Sequence, residues 1–251
     1  MSVAAPAQWQ RRARPLLGTL VEIGLKVDAT ARAHRIEDAF NVICHVQACL
    51  SRFEPDSDIT RFHKLPRGAS LKMRPDTVEV LTAASELRQA TDAIFDISVG
   101  TSPHGWCIDG DTLVKHDDAV RLDLGGIGKG YAVDCAVRSL LASGATAGWV
   151  NAGGDLRAFG HVDLPVHLRN EDSGGLKPFA SLRDGAMATS VLDCESRERG
   201  GTGHKPGPKR EHVSVAAPLC LWADALTKVV AATGDRDGPL LARYGALAWR
   251  H

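Results

Sequence analysis

The chain has 251 residues, and its 30 Lys and Arg residues balance its 30 Asp and Glu residues, so the formal net charge is zero. A chain of this length buries enough surface to fold without a disulfide or a structural metal. Zero net charge argues against a general nucleic-acid binder, which usually shows an excess of basic residues. We therefore expect no nucleic-acid partner.

Neither a membrane span nor an export signal is predicted. No stretch approaches the roughly 18 apolar residues of a transmembrane helix. Residues 1–14 contain no apolar core of signal-peptide length, so the protein is expected to be cytoplasmic. The six cysteines form no Cys-x-x-Cys pair, and the ten histidines form no pair with the spacing of a metal site, so a zinc finger is not expected.

The order of the predicted elements indicates one α+β unit. Residues 1–14 are predicted to be a flexible segment, and residues 15–251 to form a single compact domain of mixed or antiparallel sheet with packed helices. The elements follow from hydrophobic periodicity and from turn-forming residues. In the first half they are a strand over 16–27, a helix over 31–51, a loop over 51–62, a helix from Pro75 to about Thr91, a tight segment over 93–100, and an irregular stretch over 101–118 with a turn at 109–111.

The second half begins with a glycine-rich segment. Residues 121–130 are predicted to run from a short strand through glycines into a helix over 131–142, which Gly144 caps. The remaining predicted elements are a strand over 149–151, strands or turns to residue 190, a loop over 196–212, a strand over 213–217 and a helix over 222–233 capped by Gly234.

The glycine-rich segment places Lys129 among Gly125, Gly126, Gly128 and Gly130. Its spacing matches neither a Walker A loop nor a dinucleotide fingerprint. Glycines nevertheless let backbone N–H groups approach an anion, and the following helix presents its positive end. Two interpretations stay open: an anion-binding loop, or a tight strand-to-helix turn with a solvated lysine.

A second candidate is the pair Asp224 and Lys228, which share one side of a helix because they lie four residues apart. A surface ion pair of this kind contributes little to stability. The flanking residues are apolar, however, from Leu221 and Trp222 before the pair to Val229 after it. The pair is therefore predicted to point into a site.

Other residues are ambiguous when taken singly. Asp96 after Phe95 could hydrogen-bond a polar ring edge or cap a turn, and residues 188–190 are predicted to be a small polar turn. His204 lies in a basic loop rich in glycine and proline, where a solvent-exposed histidine is the simplest interpretation.

Taken together, these segments resemble the ApbE family, whose members are FAD:protein FMN transferases. The resemblance spans nearly the whole chain. Its segments, in order, are LGT (17–19), SRFEPDSDITRF (51–62), FDISVG (95–100), LDLGGIGKGYAVD (122–134), VNAGGD (150–155), ATS (188–190) and ADALTK (223–228).

The resemblance implies a reaction, its cofactors and its partner. Family members bind FAD and Mg²⁺, cleave the pyrophosphate, and attach FMN through a phosphoester to a Thr or Ser of an acceptor flavoprotein, releasing AMP. The implied flavin contacts are Leu17, Phe53, Ile94, Phe95, Asp96, Asp123 and Lys129. The implied metal ligands are Gly126, Asp224 and residue 228, with Thr227 beside it. The implied catalytic residues are Asp224, His204 and Lys228.

The chain departs from the family pattern at four places. Leu17 replaces the usual Met, His204-Lys-Pro-Gly-Pro replaces a His-Ile-Ile-Asp-Pro segment, the region between residues 100 and 121 is shorter, and Lys228 replaces a metal-ligating Thr. An ammonium has donors and no acceptor, so it cannot bind a cation. We expect an Asp224–Lys228 ion pair in the free protein, with the ammonium at or beside the usual Mg²⁺ position; otherwise Lys228 turns away and Thr227 supplies the hydroxyl.

Two other functions remain open from the sequence. The same site could hydrolyse FAD to FMN and AMP with water as the acceptor. It could also bind flavin without catalysis, because the metal and histidine positions are altered.

Overall fold

The fold is organised around one large antiparallel sheet. The computed structural model describes residues 9–27, 34–169, 175–192 and 211–251. The strands in these residues are β1 (Trp9–Leu16), β2 (Thr19–Lys26), β3 (Ser70–Lys72), β4 (Trp106–Asp109), β5 (Thr112–Lys115), β6 (Gly148–Ala152), β7 (Asp155–Phe159), β8 (Leu164–Arg169), β9 (Leu176–Leu182), β10 (Gly185–Leu192), β11 (Glu211–Ala217) and β12 (Leu247–Arg250).

Seven of these strands form the large sheet, in the order β1-β2-β6-β7-β10-β11-β12. Every neighbouring pair in it is antiparallel. Two smaller antiparallel sheets have the orders β3-β5-β4 and β8-β9. The predicted α+β class with an antiparallel sheet is therefore confirmed.

Helices cover one face of the large sheet. The helices in the described residues are α1 (Arg35–Leu50), α2 (Asp58–Lys64), α3 (Pro75–Ala90), α4 (Gly128–Ala142), α5 (Cys220–Thr233) and α6 (Pro239–Arg243). Helix α4 packs between α1 and α5, and α5 lies on β10 and β11. Within these residues, none of the helices has both the length and the apolar character that a membrane crossing requires.

The opposite face of the sheet is covered by the β8–β9 hairpin. Trp149, Leu156 and Met187 project from the sheet into a second, smaller apolar cluster with Val166 and Leu182 of the hairpin. Because side chains alternate along a strand, each central strand of the sheet contributes to both clusters.

Helices α4 and α5 touch at a glycine. A Cβ on Gly130 would lie 2.2 Å from the carbonyl oxygen of Cys220, so this position accepts no side chain. Asp134, one turn further along α4, accepts hydrogen bonds from the backbone N–H groups of Cys220 (3.0 Å) and Leu221 (2.8 Å). These are the first N–H groups of α5, and Leu219 at the N-cap cannot accept a hydrogen bond with its side chain. Helix α4 therefore supplies the cap that α5 lacks.

The predicted helices are confirmed, with shifted ends. Helix α1 begins at Arg35 rather than 31, and α4 and α5 begin two to three residues earlier than predicted. Gly144 (φ +84°) and Gly234 (φ +74°) end their helices in the left-handed conformation that favours glycine.

The beginning of the domain was predicted incorrectly. Residues 9–14, expected to be flexible, belong to β1, which pairs with β2 over its whole length. Trp9 packs on Trp149 at 4.9 Å between ring centroids, and Arg14 contacts Glu37 at 2.6 Å. The predicted strand over 16–27 is interrupted by the hairpin turn at Leu17 and Gly18, both of which have positive φ.

Four further segments differ from prediction. The second half of the expected loop over 51–62 starts α2, because Ser57 caps the helix through the N–H of Thr60 at 3.0 Å. The irregular stretch over 101–118 contains β4 and β5, joined by the predicted turn at Gly110. Residues 188–190 lie in β10 rather than in a turn, and residues 121–124 form no strand.

Candidate active site

Two carboxylates and two ammonium groups meet where α4, α5 and β7 converge. Asp224 of α5 is entirely buried, and Asp155 begins β7. The Lys228 ammonium lies 2.8 Å from Asp224 Oδ1. The Lys129 ammonium contacts Asp155 and lies 3.7 Å from Asp224 Oδ2. We call these four residues the charge cluster; its formal charges cancel.

The predicted ion pair between Asp224 and Lys228 is thus confirmed, and the ammonium is saturated. Its three N–H groups have three close acceptors: Ser190 Oγ at 2.7 Å, Asp224 Oδ1 at 2.8 Å and Thr227 Oγ1 at 2.9 Å. Lys228 therefore does not turn away from the site.

The Thr227 hydroxyl beside Lys228 is also fully used. Thr227 Oγ1 donates to the backbone carbonyl of Asp224 at 2.7 Å, and it lies 2.7 Å from Ser190 Oγ. Since the Thr227 hydroxyl donates its proton to that carbonyl, its oxygen accepts hydrogen bonds from both Ser190 and Lys228. Both of its lone pairs are then occupied.

Burial and neighbouring charge shift the pKa values of two members of the cluster, Asp155 and Lys129. Burial, together with the charge of Asp224, raises the pKa of Asp155 to about 6, although Lys129 opposes this shift. Burial disfavours the charged form of Lys129, yet Asp224 and Asp155 outweigh it and raise the pKa of the ammonium. Lys129 is therefore a cation under all ordinary conditions.

The glycine loop lies directly over the cluster. A Cβ on Gly126 would be 3.4 Å from Cγ of Lys228 and 3.7 Å from the ring of Phe95. Asp123 fixes the loop by accepting from the N–H of Gly125 at 2.8 Å. Gly130 N–H donates to Asp224 Oδ2 at 3.2 Å, which ties the first turn of α4 to the buried carboxylate.

On its other side the loop borders an open cavity of about 350 Å³. Four of the predicted flavin contacts line it: Leu17, Phe53, Asp123 and Lys129. We call it the loop cavity. Its volume lies within the range of small-molecule sites, and Lys129 connects it to the charge cluster.

Phe53 is the most exposed large apolar side chain of the cavity wall. It is 82% exposed, and the guanidinium of Arg52 lies 4.7 Å from its ring centroid. Arg52 also contacts Asp123 at 3.3 Å. An exposed aromatic ring beside a cation is suited to stacking on a planar ligand.

The other three predicted flavin contacts lie outside this cavity. Ile94 borders a separate hollow beside Val229 and Val230 of α5. Phe95 is buried and packs toward the glycine loop. Asp96 accepts from both the N–H and the hydroxyl of Ser98, at 2.9 and 2.6 Å, as in a capped turn.

Two site residues were missed in the sequence, and one predicted residue cannot be placed. Asp155 and Ser190 occur in the quoted segments, but neither was assigned a role. The double glycine before Asp155 could have indicated it, because such a turn exposes the start of the next strand. His204 lies outside the described residues.

The arrangement defines a class of site. An open cavity with an aromatic wall leads to an ammonium at the N-terminus of a helix, and buried charges lie behind it. Such a site can bind a ligand that combines a ring system with an anion, since helix N-termini and lysines both attract phosphate.

Comparison with known proteins gives the family. Residues 17–113 and 103–248 match the model of the ApbE family, and the chain therefore belongs to that family. The FAD:protein FMN transferase of Rhodobacter capsulatus is 27% identical over 218 residues, covering 70% of this chain and 42% of that protein. The chain thus spans less than half of that relative's length.

Solved structures share the fold. The flavin transferase ApbE from Vibrio cholerae superposes with a TM-score of 0.82 at 19% identity, covering 98% of this chain and 94% of that one. The apo form of the Pseudomonas stutzeri flavinyl transferase ApbE gives a TM-score of 0.79 at 22% identity, covering 99% and 92%.

Proposed function

We propose that this protein is an FAD:protein FMN transferase. The observation that supports this most directly is the placement of Lys129, which lines the loop cavity and also contacts Asp155 of the charge cluster. A flavin in the cavity would direct its pyrophosphate toward Lys129 and the N-terminus of α4. Enzymatic phosphoryl transfer depends mainly on such positioning and charge stabilisation.

The proposed step is a substitution at the FMN phosphorus. The hydroxyl oxygen of an acceptor Thr or Ser forms a new bond to that phosphorus. The bond from phosphorus to the bridging oxygen breaks, and AMP leaves with that oxygen and its electron pair. The hydroxyl proton passes to a base, for which we propose His204.

The donor set does not fit a magnesium ion in the arrangement observed. Mg²⁺ requires a near-octahedral set of oxygens at about 2.0–2.1 Å. Two of the implied ligands, Asp224 Oδ1 and Thr227 Oγ1, already accept from the Lys228 ammonium at 2.8 and 2.9 Å. A cation would have to displace Lys228 and disrupt its bond to Ser190. We propose that Lys228 takes over part of the charge that a metal would supply.

In this proposal two lysines act on different parts of the substrate. Lys129 faces the cavity and would contact the pyrophosphate directly. Lys228 lies under Gly126 and holds Asp224, Thr227 and Ser190 in place. Its charge would oppose the negative charge that develops on the leaving phosphate.

Product analysis tests the reaction. The protein is incubated with FAD and an acceptor protein. AMP is then quantified by chromatography, and the mass of the acceptor is measured by mass spectrometry. We expect AMP and an acceptor heavier by one FMN, with no gain when the target Thr or Ser is replaced by Ala. AMP with free FMN and an unchanged acceptor would indicate hydrolysis instead. Binding of FAD without AMP release would indicate a flavin-binding protein.

Calorimetry tests the role of Lys228. We expect Mg²⁺, titrated with FAD present, to bind weakly or not at all to the wild type and more tightly to Lys228→Thr. Lys72→Thr is the matched control, because Lys72 is 81% exposed and pairs with Asp111 at 3.2 Å. Tight binding by the wild type that does not improve in Lys228→Thr would show that Lys228 does not exclude the metal.

The proposed base has its own test. His204→Ala should slow transfer while FAD affinity stays nearly unchanged, because a base acts in the chemical step rather than in binding. His161→Ala, at an exposed position, is the control. Unchanged transfer in His204→Ala would remove this residue from the mechanism.

A further inference from the structure

A second group of chemically active side chains lies between α1 and α3. His45 and Cys49 are one turn apart on the same side of α1, and Asp76 is in the first turn of α3. One donor atom from each lies within 4.8 Å of the other two. Neither a pair of cysteines nor a pair of histidines marks this set in the sequence, because its two members on α1 are of different types.

Two of the three donor separations are close to those of a tetrahedral metal site, and the third is below 4.8 Å. Zn–S bonds of about 2.3 Å and Zn–N and Zn–O bonds of about 2.0–2.2 Å place S and N about 3.6 Å apart, and N and O about 3.4 Å apart, at tetrahedral angles. Cys49 Sγ lies 3.6 Å from His45 Nε2, and His45 Nε2 lies 3.2 Å from Asp76 Oδ2. A metal ion could join these atoms with small side-chain movements.

A neighbouring group orients one of the donors. Tyr131 OH lies 2.9 Å from Asp76 Oδ1, which leaves Oδ2 directed at His45. Outer partners of this kind fix the geometry of metal ligands.

The site also has an entrance and an open position. The His45 side chain is 62% exposed, whereas Cys49 is buried, so an ion can approach from the His45 side. Three protein ligands leave one tetrahedral position for water.

We propose that His45, Cys49 and Asp76 bind a zinc ion that joins α1 to α3. Sulfur, imidazole and carboxylate together suit Zn²⁺ better than Mg²⁺, which prefers oxygen ligands alone. The thiol loses its proton to solvent when the metal binds. This site is independent of the proposed transferase activity.

Cobalt spectroscopy of the full chain is the test. Co²⁺ substitutes for Zn²⁺, and a thiolate ligand gives a charge-transfer band in the near ultraviolet. We expect this band in the wild type, its removal by Zn²⁺, and its loss in Cys49→Ala. Cys44→Ala is the matched control, because Cys44 is an exposed cysteine of the same helix, and it should keep the band.

Two further variants separate a metal site from a simple polar cluster. His45→Ala changes an exposed side chain, so it should fold normally and bind Co²⁺ at least tenfold more weakly. Tyr131→Phe should weaken binding by about tenfold, the usual effect of removing an outer hydrogen bond. Zn²⁺ should raise the Tm of the wild type and not that of His45→Ala.

The proposal is overturned by any of three results. These are a wild type without a thiolate–cobalt band, a band that persists in Cys49→Ala, or a Zn²⁺-induced rise in Tm that is the same in His45→Ala.

Discussion

The two sides of the glycine loop differ in how far they are organised in the free protein. On the α5 side, Asp224 is entirely buried and the Lys228 ammonium has an acceptor for each of its protons. On the α1 side, the loop cavity is open and Phe53 is 82% exposed. The difference indicates that the two sides of the loop have different roles. Charges are fixed before any ligand arrives, whereas the surface for a ring system stays open to receive one.

Fixed charges are advantageous for the proposed chemistry. Groups that are already oriented need no rearrangement when charge develops in a transition state. An exposed aromatic ring, in contrast, gains contact area only when a ligand covers it. Substitutions on the α5 side should therefore affect stability as well as activity, and substitutions on the α1 side should affect binding alone.

The largest effect is expected for Asp224→Asn. The substitution leaves Lys228 without its carboxylate and weakens the hold on Gly130 N–H. Removing one member of a buried ion pair costs about 3–5 kcal/mol. We expect the free energy of unfolding to fall by about 3 kcal/mol, at the lower end of this range, because the Lys228 side chain is 35% exposed. Urea unfolding measures it. Asp163 pairs with Arg183 and its side chain is 55% exposed, so Asp163→Asn should change the free energy of unfolding little. Equal losses in the two variants would contradict the comparison.

The second effect is a pH dependence that comes from Asp155. Its pKa is raised from 3.8 to about 6 in the folded protein. Since folding favours its protonated form, its contribution to stability is full below pH 4 and is lost as pH rises through 6. The stability of the wild type relative to Asp155→Asn should fall by up to about 3 kcal/mol between about pH 4 and 6. Urea unfolding at a series of pH values measures this. A difference in unfolding free energy between the wild type and Asp155→Asn that stays constant over this range would contradict the raised pKa of Asp155.

The third effect concerns FAD affinity. Lys129→Met removes the only ammonium in the described residues that both lines the loop cavity and belongs to the charge cluster. A hydrogen bond to a charged group contributes about 1.5–3 kcal/mol, so FAD should bind about 10- to 100-fold more weakly. Fluorescence titration measures this. Lys72→Met is the control, and an unchanged affinity in Lys129→Met would remove Lys129 from the ligand site.

The smallest effect is expected for Phe53→Ala. An aromatic contact contributes about 0.5–1.5 kcal/mol beyond area burial, so FAD affinity should fall about fivefold. Stability should stay unchanged, because the ring contacts solvent in the free protein. A marked loss of stability would show that Phe53 supports the fold and would weaken the contrast between the two sides.

The sequence predicted the α5 side better than the α1 side. The spacing of Asp224 and Lys228 places them on one face of a helix whatever the rest of the fold does. Their apolar neighbours indicated burial, and the structure confirms the ion pair. Local periodicity was sufficient here because both charges belong to one element.

Contacts between distant elements could not be predicted in the same way. Asp155 reaches Lys129 only because β7 and α4 meet in the folded chain, 26 residues apart in sequence. Ser190 was assigned to a turn, whereas the alternation of β10 directs it toward Lys228. Ile94 and Asp96 do not line the loop cavity, since Ile94 borders another hollow and Asp96 bonds to Ser98; their contact with flavin stays a prediction.

The close contact at Gly130 has a consequence for motion. The Cys220 carbonyl occupies the space of an absent side chain, and Asp134 binds the adjacent N–H groups. Helices α4 and α5 are therefore coupled at one point of contact and cannot slide past each other without breaking these bonds. Lys129 and Asp224 lie on either side of this contact, 3.7 Å apart, so a change in their separation that comes from sliding of the helices requires breaking it.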